Sequence, residues 1–377
     1  MRIAVVGPSW PLRGGIAATT TALAAALDGR GELAAFLNPR RQYPRLLYRG
    51  PSDTDPDSCP RLAAAQRCYS VLVPWSWRRA EVRLRASAPD VVVIPVWTWV
   101  WAPFLLGVAR ARVAPLVAVV HNPADHDAAP AARAALRALL ARSDGALCHA
   151  TSVAGQLRAQ WPGHPLAVHP LPPLSAPAAD RGAARRALGV PDGTCAVLCL
   201  GLIRPYKGVD VLLDAVASLP REAPLVLLLA GEPWGAERAR IARRLADPRL
   251  AGRVVARLAW LPEKEVPLWL AAADAAVLPY RSATGSAVAA QALGAGLPVV
   301  ATRVGGLVDV VEDGVSGLLV DPGDPAALAA ALLRVGDPVL RARLAEGARA
   351  RAQKWTWPSY AAALSTLAAE VVSRRGS

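Results

Sequence analysis

Residues 197–212 read Val-Leu-Cys-Leu-Gly-Leu-Ile-Arg-Pro-Tyr-Lys-Gly-Val-Asp-Val-Leu. Four apolar residues predict a buried strand, Gly201 to Gly208 a turn, and a helix follows from Val209. A strand, a turn and a helix N-terminus aim backbone N–H groups and the positive end of the helix dipole at one spot, where an anion can sit. Arg204 and Lys207 add fixed positive charge there. Taken alone, the segment also fits a solvated basic turn.

The same rhythm continues in both directions. Downstream, apolar runs at 225–230, 254–258, 275–278 and 299–301 alternate with helices expected near 236–245, after Pro262 and from about Ser286. Asp324-Pro325 supplies the N-cap and first-turn pair of a later helix. Upstream, residues 170–177 read Pro-Leu-Pro-Pro-Leu-Ser-Ala-Pro, a stiff connector and the best domain boundary. Before it, strands expected at 3–6, 91–94 and 116–120 alternate with helices near 17–27 and 131–142, and shorter runs follow at 146–147 and 166–169. Uninterrupted apolar strands suit a parallel sheet covered on both faces. Residues 40–76, rich in Pro, Arg and Asp, have little periodicity and read as a functional or mobile loop. The pattern predicts an α/β chain of two doubly wound Rossmann-like domains facing a central cleft, residues 1–172 and 173–357, with ligands at the carboxyl ends of the strands.

Composition agrees with two domains. The chain has 377 residues, 53% hydrophobic and only 5% aromatic, which favours amphipathic helices on sheets. Its net charge is +14, nearly all from arginine; lysine occurs only at Lys207, Lys264 and Lys354. Such a surface suits phosphate-bearing ligands and anionic membranes, and equally a GC-rich coding bias that writes Arg for Lys. Cys59, Cys68, Cys148, Cys195 and Cys199 have no paired spacing and read as reduced thiols of a cytoplasmic protein without a signal peptide. Residues 91–109 carry no charge and are long enough to span a bilayer, but Pro95 and Pro103 and the strand–loop–helix rhythm favour a buried βαβ unit.

Other residues carry candidate chemistry. Residues 280–302 read as strand, Thr284-Gly285-Ser286 turn, small-residue helix, glycine turn and strand. Small residues let a phosphate approach the N–H groups of Gly285, Ser286 and Ala287, and Gln291, about two helical turns in, can reach a ribose. Gly294 and Gly296 serve helix–strand packing as readily as binding. His121 lies at the carboxyl end of a strand, where a neutral imidazole can bond a sugar or act as a capped core residue. His126, His149 and His169 have weaker cases, and no metal is expected because no ligand spacing is present. Trp97, Trp99 and Trp101 fit contact with a sugar or lipid acceptor, or ordinary packing.

Together these segments resemble glycosyltransferase family 4, retaining enzymes of the GT-B fold. The likeness is strongest from about residue 200 to 330, where Leu297-Pro298-Val299-Val300-Ala301-Thr302 leads to Val304-Gly305-Gly306-Leu307 and to Val311-Glu312-Asp313-Gly314-Val315-Ser316-Gly317-Leu318-Leu319-Val320. Gly7-Pro8 with Arg13-Gly14-Gly15-Ile16 looks like the family's phosphate-facing loop, and His121-Asn122 like its active-site histidine. Trp357-Pro358-Ser359-Tyr360 and the final helix, 358–377, look like the GT-B segment that returns to complete the first domain. Two departures stand out. The family's two glutamates, eight positions apart, correspond to Ala283 and Gln291, and the arginine that follows the phosphate-turn glycine corresponds to Leu202, with Arg204 two residues later.

The resemblance implies transfer of a hexose-type sugar, with retention, from a nucleotide diphosphate sugar as co-substrate, with no other cofactor. His121, Lys207 and Arg204 would be catalytic. Gly14, Gly15, Thr284, Gly285, Ser286, Ala287 and Gln291 would bind the donor. Trp97, Trp99 and His126 are acceptor candidates, for a glycan, a lipid-linked or a small-molecule acceptor in polysaccharide, glycolipid or natural-product synthesis. The leaving diphosphate would help deprotonate the acceptor hydroxyl. Charge and tryptophans add an anionic membrane surface at the inner face as a partner; no nucleic acid is expected. The missing glutamates leave two rivals: a non-catalytic GT-B binding module, and an isomerase of the nucleotide-sugar 2-epimerase kind.

Overall fold

The computed structural model describes residues 1–41, 54–55, 62–122, 130–174 and 179–376. It divides into two compact units, Met1–Pro170 with Trp357–Ser377, and Leu171–Thr356.

The first unit is built on seven strands: β1 (Ile3–Val6), β2 (Leu33–Pro39), β3 (Ala65–Tyr69), β4 (Val91–Val96), β5 (Leu116–Val120), β6 (Gly145–Cys148) and β7 (Leu166–Val168). Their order is β3-β2-β1-β4-β5-β6-β7, and all pairs are parallel. Within β4, Val92, Ile94 and Val96 face one core, shared with α2 (Pro74–Ala86), α3 (Ala102–Ala111), α4 (Pro130–Leu140) and α5 (Thr151–Gln160). Val91 and Val93 face the other, where α1 (Gly15–Gly29) and the last helix of the chain, α14 (Trp357–Gly376), lie through Leu23, Leu27, Leu364 and Val371. Both faces are covered, so the strand reads as an unbroken apolar run. That explains the uncharged stretch 91–109: it is β4, a 3-10 turn at Trp99–Trp101 and most of α3. Among the described residues no helix is long and apolar enough to cross a membrane.

The second unit holds β8 (Cys195–Leu200), β9 (Leu225–Ala230), β10 (Val254–Arg257), β11 (Ala275–Leu278), β12 (Val299–Thr302) and β13 (Gly317–Val320). The order is β10-β9-β8-β11-β12-β13, again all parallel. Its helices are α6 (Arg181–Leu188), α7 (Val209–Ser218), α8 (Glu237–Leu245), α9 (Val266–Ala272), α10 (Ala287–Gly294), α11 (Leu307–Val310), α12 (Pro325–Gly336) and α13 (Pro338–Gln353). Asp324 caps α12, its carboxylate accepting from the amides of Ala326 and Ala327 at 2.9 Å. In both sheets the winding direction reverses beside the first strand, between β1 and β4 and between β8 and β11. Such a reversal opens a crevice at the carboxyl ends of the two strands, the usual place for a ligand in this architecture.

Several elements depart from the sequence expectation. Residues 40–76, read as a loop, contain β3 and the start of α2; β3 is an edge strand in which only Cys68 and Tyr69 are buried. An edge strand without an apolar run leaves little periodic signal. The rest of that loop, Cys59 and part of the proline-rich connector lie outside the described residues. Cys68, Cys148, Cys195 and Cys199 are buried and unbridged, and burial pushes the Cys148 and Cys199 thiols up to about 12.

Candidate active site

The second unit's site starts at the end of β8. Gly201 has φ +107, and the chain turns through a 3-10 turn, Pro205–Lys207, into Gly208, whose φ of +65 makes it the N-cap of α7. The loop after β9 is fastened alongside: Ile203 N donates to Glu232 O and Trp234 N to Ile203 O, both at 2.9 Å. A Cβ at Gly231 would fall on the Gly201 carbonyl oxygen, so glycine is required for this approach. The Arg204 guanidinium lies 6.0 Å from the Tyr206 ring and 5.9 Å from the Trp234 ring, held between two aromatic faces.

Lys207 is half-buried by exposed area, yet its ammonium is surrounded by protein. Its Nζ donates to Tyr280 Oη at 2.7 Å and lies 4.2 Å from that ring's centroid. Burial lowers the proton affinity of the amine, outweighing opposing effects of Tyr206 and Cys199, and Arg204 adds a still smaller lowering. Among the described residues no carboxylate is paired with Lys207. A desolvated ammonium held only by a neutral phenol is costly unless an anion completes it.

Tyr280 and Arg281 follow β11, on the other side of the reversal point. Arg281 grips the Lys207 turn twice, through its amide to Tyr206 O at 2.7 Å and through Nη1 to Pro205 O at 2.7 Å. It also makes two 2.8 Å bonds to the buried carboxylate of Asp210, which accepts from Arg240 as well. Burial works to raise the Asp210 pKa, but the bonds and charge of Arg281, with Arg240, outweigh it and the carboxyl is lowered. Neither Asp210 nor Arg281 stands out in the sequence, because their meeting depends on β8 lying beside β11.

Ser286 is the N-cap of α10 and its Oγ accepts from Ala289 N at 3.2 Å. The first amides of that helix, from Ala287, have no intrahelical acceptor. Gln291 is half-buried and sits little more than one turn into α10, not two, because the helix begins at Ala287. Ala283, at the first glutamate position, has its carbonyl against Gly305, where φ is +43 and any Cβ would overlap that oxygen. Thr284 and Gly285 lie in the connecting turn.

In the first unit Gly14, with φ +103, caps α1, and Gly15 opens it with no atom near a would-be Cβ. His121 follows β5, its amide bonded to Val96 O at 2.9 Å. Its ring centroid lies 4.6 Å from that of His149, which in turn faces Tyr360 of α14 at 5.8 Å. His149 Nδ1 is 3.3 Å from His169 O, so the proton belongs on Nδ1; Nε2 is buried with no partner among the described residues. Burial lowers His149 to about 4, and burial with the His149 charge lowers His121 well below its usual range. Both imidazoles are therefore neutral at neutral pH. His149 and His169, the weaker candidates in the sequence, are part of this cluster. Trp97 is packed against Trp101 at 4.6 Å in the core, whereas Trp99 is 43% exposed. His126 lies outside the described residues. No group of three or more His, Cys, Asp or Glu among the described residues is arranged to hold a metal ion.

The chain resembles known proteins in sequence and in fold. Residues 194–337 match the family model Glycosyl transferases group 1. The D-inositol 3-phosphate glycosyltransferase of Acidothermus cellulolyticus is 39% identical over 186 residues, 47% of this chain and 41% of that protein. Its Streptomyces scabiei counterpart is 34% identical over 279 residues, 66% of this chain and 61% of the relative. The chain thus spans about half the length of the curated relatives it matches, 41% to 49% for the first three. Among solved structures, sucrose-phosphate synthase from Thermosynechococcus elongatus aligns over 99% of this chain and 100% of its own, with TM-score 0.78 and 20% identity. An Anabaena protein in complex with UDP-glucose aligns over the whole of both chains, with TM-score 0.68 and 17% identity. The fold is GT-B, and residues 194–337 match the glycosyl transferases group 1 model.

Proposed function

We propose that the chain is a retaining, family 4-type glycosyltransferase that moves a hexose-type sugar from a nucleotide diphosphate sugar to a hydroxyl acceptor. The observation that carries this reading is the desolvated Lys207 ammonium, held by a phenol and paired with no described carboxylate, at the β8/β11 reversal. A diphosphate supplies the missing charge. As the glycosidic bond breaks, negative charge grows on the leaving phosphate, and Lys207, Arg204 and the amides from Gly285 to Ala287 stabilise it. Gln291 takes the ribose. The first unit takes the acceptor, with Gly14 and Gly15 as further donor-binding candidates and a neutral His121 as hydrogen-bond partner of a sugar hydroxyl. The leaving diphosphate takes the acceptor's proton.

UDP-glucose is bound in the Anabaena structure, which makes UDP the first donor nucleotide to assay, and D-inositol 3-phosphate, named in the relatives, is the first acceptor. A thermal-shift screen with UDP, GDP, dTDP, ADP and their sugars, without metal, is expected to raise Tm with one base. No shift from a folded sample moves the weight to a non-catalytic module; turnover of the nucleotide sugar without any acceptor indicates an isomerase.

One surface supports membrane association as a second property. Leu72, Trp75 and Val82 on and beside α2 are 49%, 81% and 58% exposed, among the exposed Arg78, Arg79, Arg83 and Arg85. An aromatic and basic face suits an anionic bilayer surface. Cosedimentation with phosphatidylglycerol vesicles at low salt is expected, and a Trp75→Glu variant should lose most of it; equal sedimentation of both removes this assignment.

A further inference from the structure

Lys207 and the N-terminus of α10 belong to different loops, after β8 and β11, yet both would face one diphosphate. One side chain touches both. Tyr280 Oη accepts from Lys207 Nζ at 2.7 Å and is also hydrogen-bonded to the Ser286 side chain, which caps α10 through the 3.2 Å bond from Ala289 N. Tyr280 itself is fixed: it is 2% exposed, its carbonyl accepts from Thr302 Oγ1 at 2.5 Å, and its ring meets Tyr206 edge-on at 6.3 Å.

Resting on the donor reading above, we propose that Tyr280 is the positioning residue of the diphosphate site, setting the Lys207 ammonium and the Ser286-capped amides in register with each other across the β8/β11 reversal. A lysine has four rotatable bonds, and ordering it costs rotamer entropy. Tyr280 holds it before the ligand arrives, by hydroxyl and by ring. Its phenol also does what a carboxylate cannot. An aspartate at this place would fix Lys207 equally well but neutralise it, and the diphosphate would have to displace it. Burial raises the phenol's pKa, outweighing the Ser286 bond, so Tyr280 stays neutral and leaves the full ammonium charge for the ligand.

Tyr280→Phe keeps the ring and removes the hydroxyl. Calorimetric titration with UDP and, in parallel, GDP is expected to give about tenfold weaker binding of the base that the wild type accepts, roughly the loss of one charge-assisted hydrogen bond. Pre-organisation predicts coupling: in a Lys207→Met background, Tyr280→Phe should change affinity less than twofold. A tyrosine that only packs would weaken both backgrounds alike. If Tyr280→Phe fails to fold, Ser286→Ala breaks the other end of the link, and a three- to tenfold loss is expected from it. Wild-type affinity for neither diphosphate refutes the donor reading. Wild-type binding with an unchanged Tyr280→Phe, or additive effects of the two substitutions, refutes the positioning role alone.

Discussion

If the chain transfers sugar as proposed, replacing Lys207 by methionine is expected to lower that transfer by about a thousandfold while leaving the fold as stable as before or more so. The size follows from removing one preorganised charge from a site where negative charge develops, typically 10²- to 10³-fold in kcat. Methionine keeps most of the stem packed against Tyr206 and Tyr280 but carries no charge. The stability statement has a separate cause. Nζ is desolvated, its one recorded hydrogen bond goes to a neutral phenol, and no described carboxylate offsets its burial. Removing a buried, unpaired ammonium relieves that cost, even though Tyr280 loses a donor. Single-turnover kinetics together with urea unfolding check both halves. A variant that transfers sugar normally overturns the assignment of Lys207; one that is inactive and unfolds far more easily shows a structural lysine instead.

Gly208→Ala destabilises the second unit by about 2–5 kcal/mol, the sum of a strained left-handed backbone and an unrelieved overlap. Gly208 has φ +65, and a Cβ there would fall on the Pro279 carbonyl oxygen, one residue before Tyr280. That oxygen belongs to the backbone leaving β11, so it cannot swing aside as a side chain can. The turn must move, taking Lys207 off Tyr280, and nucleotide affinity falls with stability. Gly252→Ala isolates the first contribution: it also has positive φ, +71, but nothing lies within 4 Å of its Cβ, so it should cost only about 1 kcal/mol. Urea denaturation of both variants measures the contrast. Equal losses would mean that the overlap at Gly208 relaxes freely.

The two substitutions test features of different visibility in the sequence. The turn from Gly201 to Gly208 could be read directly, because a strand, its glycines and the helix that follows occupy one short window. The strand at 91–94, which extends to Val96, and that at 225–230 are equally plain, since burial on both faces removes polar residues from every position. β3 was hidden for the opposite reason: at the sheet edge, Ala65, Gln66 and Arg67 are not buried, and no alternation survives. Gln291 was placed a turn too deep because the helix start is set by the Ser286 cap, a boundary that periodicity does not mark.

Legible without any coordinates are the repeated strand–turn–helix pattern, the break near residue 170 and the basic glycine turn with Lys207. These are properties of neighbouring residues or of spacing. Folding alone brings Lys207 to Tyr280, 73 residues away, ties Asp210 through Arg281 to the same turn across 71, and sets His149 between His121 and Tyr360. The reason is strand order. β8 hydrogen-bonds to β11 as well as to β9, so loops distant in sequence meet at one end of a sheet, and no local pattern records which strand will lie beside which.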